Sequence, residues 1–240
     1  NTITVDNQKF TECKDSWECT KLSQPVKQSW FTNEKVEFVQ GGHLGYMDMP
    51  NAVFVNRKIV HIKPNIYIIM DEMYTGGEHT YQQYFHFNEE GTISSLDGMD
   101  QSANGLRYLG KRAVADFYFL NPPVKSEIIS SKISRHYNGY TLNKKVKNEF
   151  EGKGFTSAIT VIVTGDSMAI EGLNQVKVSK VPVKSTLKNI IYPDHYAEAV
   201  RIETKENKYV VILCHQEVNT PTDLVEADGC MGIGNVIVFE

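Results

Sequence analysis

With 240 residues, 41% of them hydrophobic, the chain is long enough for a sizeable core and too apolar for disorder. Its 25 basic against 29 acidic side chains leave a net charge of −4, which gives no electrostatic case for nucleic acid or an anionic membrane surface. Nothing approaches the roughly 18–20 uninterrupted apolar residues of a membrane helix, so membrane insertion is not expected.

The opening residues, NTITVD, alternate polar and β-branched side chains and predict a strand from the first position. A strand at the very start of a chain that opens with Asn instead of Met leads to the expectation of a piece excised from a longer protein. Residues 7–25 read as a polar loop around Trp17, and 30–39 as a strand. Residues 40–50 (QGGHLGYMDMP) read as a Gly-rich loop presenting His43 and Tyr46.

The centre of the chain is an expected antiparallel meander of three strands: Val53–Ile62, 66–71 and 78–87. Lys63-Pro64-Asn65 and Thr75-Gly76-Gly77 supply the connections, and residues 88–91 close the set. Strand alternation puts His79, Tyr81, Gln83, Phe85 and Phe87 on one face and Thr80, Gln82, Tyr84 and His86 on the other. Both faces mix polar groups with rings, as a surface that touches a sugar would.

Further along, 97–105 reads as a loop, 106–120 as one or two strands, and 128–140 as a polar stretch. Residues 141–150 read as an exposed Lys-rich strand and 154–165 (GFTSAITVIVTG) as a buried one. Strands follow at 175–183, 195–204, 209–215 and 234–239, with Glu206-Asn207 turning between the second and third of these. No amphipathic helix of ten residues or more is legible, and no internal repeat. Many short strands without helices predict an all-β chain, a single large antiparallel β-sandwich over residues 1–240.

Of the four cysteines, Cys13 and Cys19 are close enough to bridge a loop, Cys214 sits inside an apolar strand, and Cys230 follows a Gly. Buried free thiols are the favoured reading, and metal-ligand spacing of the CxxC type is absent.

No nucleophile elbow, P-loop, HExxH or dinucleotide fingerprint is present. The groups with chemistry to offer are His43, His79, His86, His136, Tyr46, Tyr81, Tyr137 and Arg57. His79 and His86 lie seven apart on one predicted strand and so face opposite ways, which rules out a directly shared metal. A hydrogen-bonded structural role outweighs a functional one for most of the histidines. His43, Gly-flanked and near a Tyr, has equal claims to both. Asp71-Glu72 reads as a strand-end pair capping a turn, and Arg57 has a rival role as an ion-pair partner for either acid across the sheet.

These residues carry a resemblance. NTITVD resembles the segment of heparinase II/III-type polysaccharide lyases in which His-Asn-Thr leads into a strand and an Asp. GGHLGY with NRKIVHIKPNIYIIMDEM resembles that family's following strand pair, GGEHTYQQYFHF its next strand, and ISRHYNGY with GFTSAITVIV the later part of its C-terminal β-domain. The order of these loose motifs is more specific than any one of them.

The resemblance implies a C-terminal β-sandwich that packs, in a whole lyase, against an N-terminal (α/α) toroid of the same polypeptide. It implies an acidic, uronic-acid polysaccharide of the heparin, heparan sulfate or alginate class as partner, cut by β-elimination, and a secreted, periplasmic or envelope location. A divalent metal, with zinc the first choice, would be held by a segment upstream of Asn1. The toroid's Tyr and His are also missing, so no catalytic residue is assigned to this chain and it is expected to be inactive alone. His43 and Tyr46 are the first expected sugar contacts, followed by His79, His86 and Arg57. A stand-alone carbohydrate-binding module is the alternative, and a purely structural sandwich the third reading.

Overall fold

Alternation along most of the chain demands strands that bury one face, and antiparallel strands are what form. The computed structural model describes residues 1–15, 17–96, 104–168 and 170–240. Contacts divide the chain into two compact units, Asn1–Leu96 with Gly105–Met168, and Ala169–Glu240 with Asp97–Asn104. The expected 97–105 loop falls almost wholly outside the described residues.

The first unit opens with β1 (Ile3–Val5), β2 (Glu12–Cys13), β3 (Cys19–Lys21) and β4 (Pro25–Thr32). There follow β5 (Val36–Tyr46), β6 (Val53–Ile62), β7 (Ile66–His86) and β8 (Thr92–Ser95). It closes with β9 (Asn104–Leu109), β10 (Ala113–Phe119), β11 (Lys125–Ile133) and β12 (Thr141–Asp166). One sheet runs β4-β5-β6-β7-β12-β10-β9-β8, with β1 added on β7 and β11 on β12.

Two strands of 21 and 26 residues, β7 and β12, organise this unit and pair from Lys145↔His86 to Val163↔Ile66. Their register shifts between Lys153 and Phe155, where Gly154 takes φ +77°, a region L side chains enter at a cost. Before this point β7 pairs with β6; beyond it, with β1. The sheet thereby folds over into two layers. Ile3, Val5, Tyr81 and Phe150 of one layer meet Tyr46, Val53, Val55, Met73 and Ala158 of the other. Phe85, Phe87 and Val146 meet Leu106, Phe117 and Phe119 in a second cluster. Each large apolar side chain so buried contributes about 1.5–3 kcal/mol, which makes layer closure the main stabilising term here.

Several expectations are corrected. The predicted strands 66–71 and 78–87 are one strand, because Gly76-Gly77 lies within β7 and does not turn the chain back. Residues 141–150 and 154–165 are likewise one strand, β12. Asp71-Glu72 caps no turn and lies within β7. The segment read as one strand over 30–39 contains a hairpin turn: the Asn33 side chain accepts from the amides of Lys35 (2.9 Å) and Val36 (2.7 Å). The Gly-rich 40–50 loop is largely strand, since β5 continues to Tyr46. Two of its glycines mark close packing: a Cβ on Gly42 would stand 2.7 Å from the Phe54 ring, and one on Gly45 2.6 Å from Phe10 Cβ. Beyond the bend the odd-numbered face of β7 is buried, with Tyr81 and Phe85 in the two clusters.

The second unit holds α1 (Ile170–Leu173), β13 (Lys177–Val181), β14 (Lys184–Ser185) and β15 (Ala197–Glu203). Its remaining strands are β16 (Lys208–Cys214), β17 (Val225–Ala227), β18 (Cys230–Gly232) and β19 (Val236–Phe239). A sheet β13-β15-β16-β19 faces a smaller one, β14-β17-β18, across Ala197, Ala199, Val210, Ile212, Val225 and Ala227. The Glu206-Asn207 turn forms as read, with Thr204 N donating to Asn207 O at 2.8 Å. Among the described residues no helix is long and apolar enough to cross a membrane.

Candidate substrate-facing site

β1 lies along the second half of β7 with Ile3 opposite Gln83 and Val5 opposite Tyr81, and polar groups gather at both of its ends. At its C-terminal end the dipeptide Asp6-Asn7 turns the chain. Both residues take positive φ (49° and 57°) and Gln8 N donates back to Val5 O at 2.8 Å, a tight turn that Asp and Asn tolerate best. The turn aims the Asp6 carboxylate at β7. Oδ1 accepts from Thr80 N (2.9 Å) and Oδ2 lies 2.7 Å from His79 Nδ1. His79 Nε2 lies 2.8 Å from the Asn51 carbonyl. A carbonyl can only accept, so Nε2 carries a proton and donates it. Burial pushes the Asp6 carboxyl up, but the Thr80 amide and His79 outweigh it and hold it below the usual carboxylate range.

His79, 7% exposed, lies in an open cleft of ≈ 490 Å³ lined by Asp6, Glu78, Thr80, Glu151, Gly152 and Lys153. Three carboxylates against one lysine make this end unfavourable to a polyanion. Among the described residues no three His, Cys, Asp or Glu side chains converge to hold a metal. Asp6 and His79 are two such groups, and by themselves they fall short of a metal's ligand set.

The other end of β1 has the opposite character. The Asn1 side-chain oxygen accepts from His86 N (2.6 Å) and the Asn1 carbonyl from Arg57 (2.9 Å). Arg57 grips Asp71 with two parallel bonds, Nε to Oδ1 at 2.5 Å and Nη2 to Oδ2 at 2.8 Å. Behind it a polar chain enters the interior. Gln83 Nε2 donates to Asp71 (2.7 Å), Gln83 Oε1 accepts from Thr160 (3.3 Å) and Asn148 (3.4 Å), and Ser126 donates to Asn148 (2.7 Å). Of its two candidate partners, Arg57 takes Asp71, while Glu72 pairs with Lys58 at 2.6 Å.

On the outward face His86 sits opposite Lys145 in register, and Lys145 Nζ rests 4.5 Å from the centre of the Tyr84 ring. Burial, reinforced by neighbouring positive charge that includes Lys145, lowers the His86 pKa. His86 thus keeps a neutral imidazole beside fixed cations.

His43 and Tyr46 lie elsewhere. His43 is half-buried, tilted against Phe10 with ring centres 4.8 Å apart, and its Nδ1 accepts from Gly45 N at 3.2 Å. Burial lowers its pKa. Tyr46 is 0% exposed, and its hydroxyl donates to the Gln8 carbonyl at 3.1 Å. Burial pushes its pKa up to about 12. The ring belongs to the core against β1 and offers no surface to a ligand. Tyr46→Phe should destabilise the chain by about 1 kcal/mol, the usual worth of such a bond, read from the urea midpoint. An unchanged midpoint would show that the hydroxyl does not hold this end of β1.

The structure therefore brings together Arg57 and His86, joins Asp71 to Arg57 as one of the two ion-pair partners expected, and adds Asn1, Tyr84 and Lys145, which were not singled out from the sequence. His79 joins Asp6 at the opposite end, and His43 and Tyr46 pair with each other in a third place (ring centres 5.6 Å apart). The charged dipeptide Lys144-Lys145, opening a predicted exposed strand beside a His-bearing one, was the available signal.

The family profile described as heparinase II/III-like, C-terminal, matches residues 1–179. The chain belongs to this heparinase II/III-like family. The fold is shared with solved lyases at low identity. Heparan sulfate lyase HepC from Pedobacter heparinus aligns with TM-score 0.63 and 14% identity over 91% of this chain and 31% of its own. A heparinase III aligns with TM-score 0.56 and 14% identity over 89% of this chain and 29% of its own. The heparinase II/III-like chain thus spans about a third of the length of these lyases. No curated protein sequence matches it.

Proposed function

We propose that this chain is the C-terminal β-region of a polysaccharide lyase, and that the Arg57–His86–Lys145 end of β1 faces an acidic, uronic-acid polysaccharide. The observation that carries the reading is the family match over residues 1–179. The charge contrast between the two ends of β1 then selects the surface.

β-Elimination needs the uronate carboxylate neutralised, so that the C5 proton becomes acidic, and a base and an acid at the two bonds that change. The reading assigns the base and acid to a toroid of the same polypeptide and gives this chain the supporting electrostatics. Lys145, steered by the Tyr84 ring, meets an anionic group as a point charge. His86, neutral and beside it, offers a hydrogen bond. Arg57, already committed to Asp71, orients Asn1 and holds the strand that carries them. On this reading the enzyme works where such polymers occur, in a secreted, periplasmic or envelope setting.

The test uses the full-length protein, with ultraviolet absorbance of unsaturated uronate as readout on heparin, heparan sulfate, alginate, hyaluronan and chondroitin. Lys145→Ala and His86→Ala should each raise KM about tenfold on the preferred polymer and leave kcat within about twofold, the pattern of lost uniform binding. Unchanged KM in both variants would remove the assignment of this surface. Glycan binding by the chain alone, with no elimination by the longer protein, would move the reading to a carbohydrate-binding module.

A further inference from the structure

The segment Cys13-Lys-Asp-Ser-Trp-Glu-Cys19 folds as a self-contained hairpin, β2 to β3, with Cys13 directly opposite Cys19. Hydrogen bonds within the segment organise its loop. Asp15 Oδ1 accepts from the amides of Trp17 (2.7 Å) and Glu18 (2.9 Å), the local turn that Asp favours. Lys14 N donates to Glu18 O at 2.8 Å, and the two side chains form an ion pair at 3.0 Å. Cys13 and Cys19 face each other next to the Lys14 N to Glu18 O bond, and the register shifts between Glu12 and Cys13. Cα atoms of facing antiparallel residues stand about 4.5–5.5 Å apart, inside the window of about 4.4–6.8 Å that a disulfide requires.

The expectation of burial holds for Cys214 and fails here: Cys13 and Cys19 are both exposed. Their sulfurs lie 2.8 Å apart. Exposure admits an oxidant, and the hairpin holds the second thiol against the first, so that ring closure needs almost no rearrangement of the chain.

We propose that Cys13 and Cys19 are a disulfide site that staples the β2–β3 hairpin and fixes the tip carrying Trp17, which is 93% exposed. The oxidant is a disulfide of the glutathione class. One cysteine thiolate attacks a sulfur of glutathione disulfide, forming a mixed disulfide and releasing one glutathione thiolate. The second cysteine thiolate then attacks the cysteine sulfur of that mixed disulfide, forming the Cys13–Cys19 bond and releasing the second glutathione thiolate. Two thiol protons and two electrons leave the protein, and glutathione disulfide is reduced to two glutathiones. The proposal is independent of the lyase reading.

The test is a thiol count on the full chain equilibrated with glutathione disulfide, quenched in acid, unfolded and alkylated with iodoacetamide. Two of the four cysteines, Cys214 and Cys230, should take the label before reduction, and all four after it. Peptide mapping by mass spectrometry should find Cys13 joined to Cys19. In Cys13→Ser, all three remaining thiols should take the label after reduction, and the oxidised chain should show Cys19 labelled or carrying glutathione, with no internal link. Four labelled thiols in the oxidised wild-type chain, or a link from either cysteine to Cys230, would overturn the proposal.

Discussion

Replacing Arg57 with leucine should lower the unfolding free energy by about 3–5 kcal/mol. The reason is the partner left behind. The Asp71 side chain is 1% exposed and lies in the middle of β7, with Arg57 on one side and Gln83 on the other. Removing the guanidinium strands a carboxylate where water does not replace it, and the amide of Gln83 alone does not compensate a full charge. Arg57→Lys keeps the charge and loses the two-pronged grip, so it should fall between wild type and Arg57→Leu. Urea denaturation followed by circular dichroism measures both. A loss under about 1 kcal/mol for Arg57→Leu would mean that Asp71 is solvated in the variant, and that the polar chain from Arg57 to Ser126 is not a continuous structural unit.

Acidification should weaken the second unit through a different group. Glu198 is wholly buried on β15, with Oε2 3.0 Å from His215 Nε2 and Oε1 2.6 Å from Lys180 Nζ. Burial pushes its carboxyl up, but the hydrogen bond with His215 and the charge of Lys180 overcome this and bring it down to about 2, against an ordinary value of 4.5. A folded pKa depressed below the unfolded one contributes stability that is complete above the unfolded value and lost as pH falls through the folded one. The window therefore runs from about 4.5 down to about 2, and the contribution is about 3 kcal/mol. Glu198→Gln should lose most of this at neutral pH, and its urea midpoint should fall less steeply than that of wild type across the window. Parallel acid limbs in the two proteins would show that Glu198 is not the titrating group.

Local pattern made part of the fold legible. β6 has the bounds its alternation and flanking Pro and Asn imply, and the absence of long helices among the described residues follows from the absence of any 3.6-residue period. Gly76-Gly77 misled for a physical reason. Two glycines between apolar runs are the usual mark of a turn, but here β12 bends alongside β7 with its own Gly154, so the ladder shifts register at the bends and resumes beyond them. Gly42 and Gly45 misled in the same way: loop-forming freedom and close packing require the same residue, and only the position of Phe54 and Phe10 tells them apart.

The candidate site was less legible than the fold. Arg57 and His86 were named from the sequence, but what makes them one site is Asn1, which lies 56 residues from the first and 85 from the second. Asp6 reaches His79 across 73 residues by the pairing of β1 with β7. Tyr46 carried the residue type of a sugar contact and proved to be core, because β5 runs on past the point where its glycines suggested a loop.

The sequence by itself determined that this protein is an all-β chain of the heparinase II/III-like type, since strand period, turn residues and motif order are local and survive in one dimension. The tertiary structure alone decided which strands are continuous, which rings are buried, and that the two ends of β1 differ in charge. Those properties depend on residues far apart in the chain meeting across a folded sheet, and no local pattern encodes the meeting.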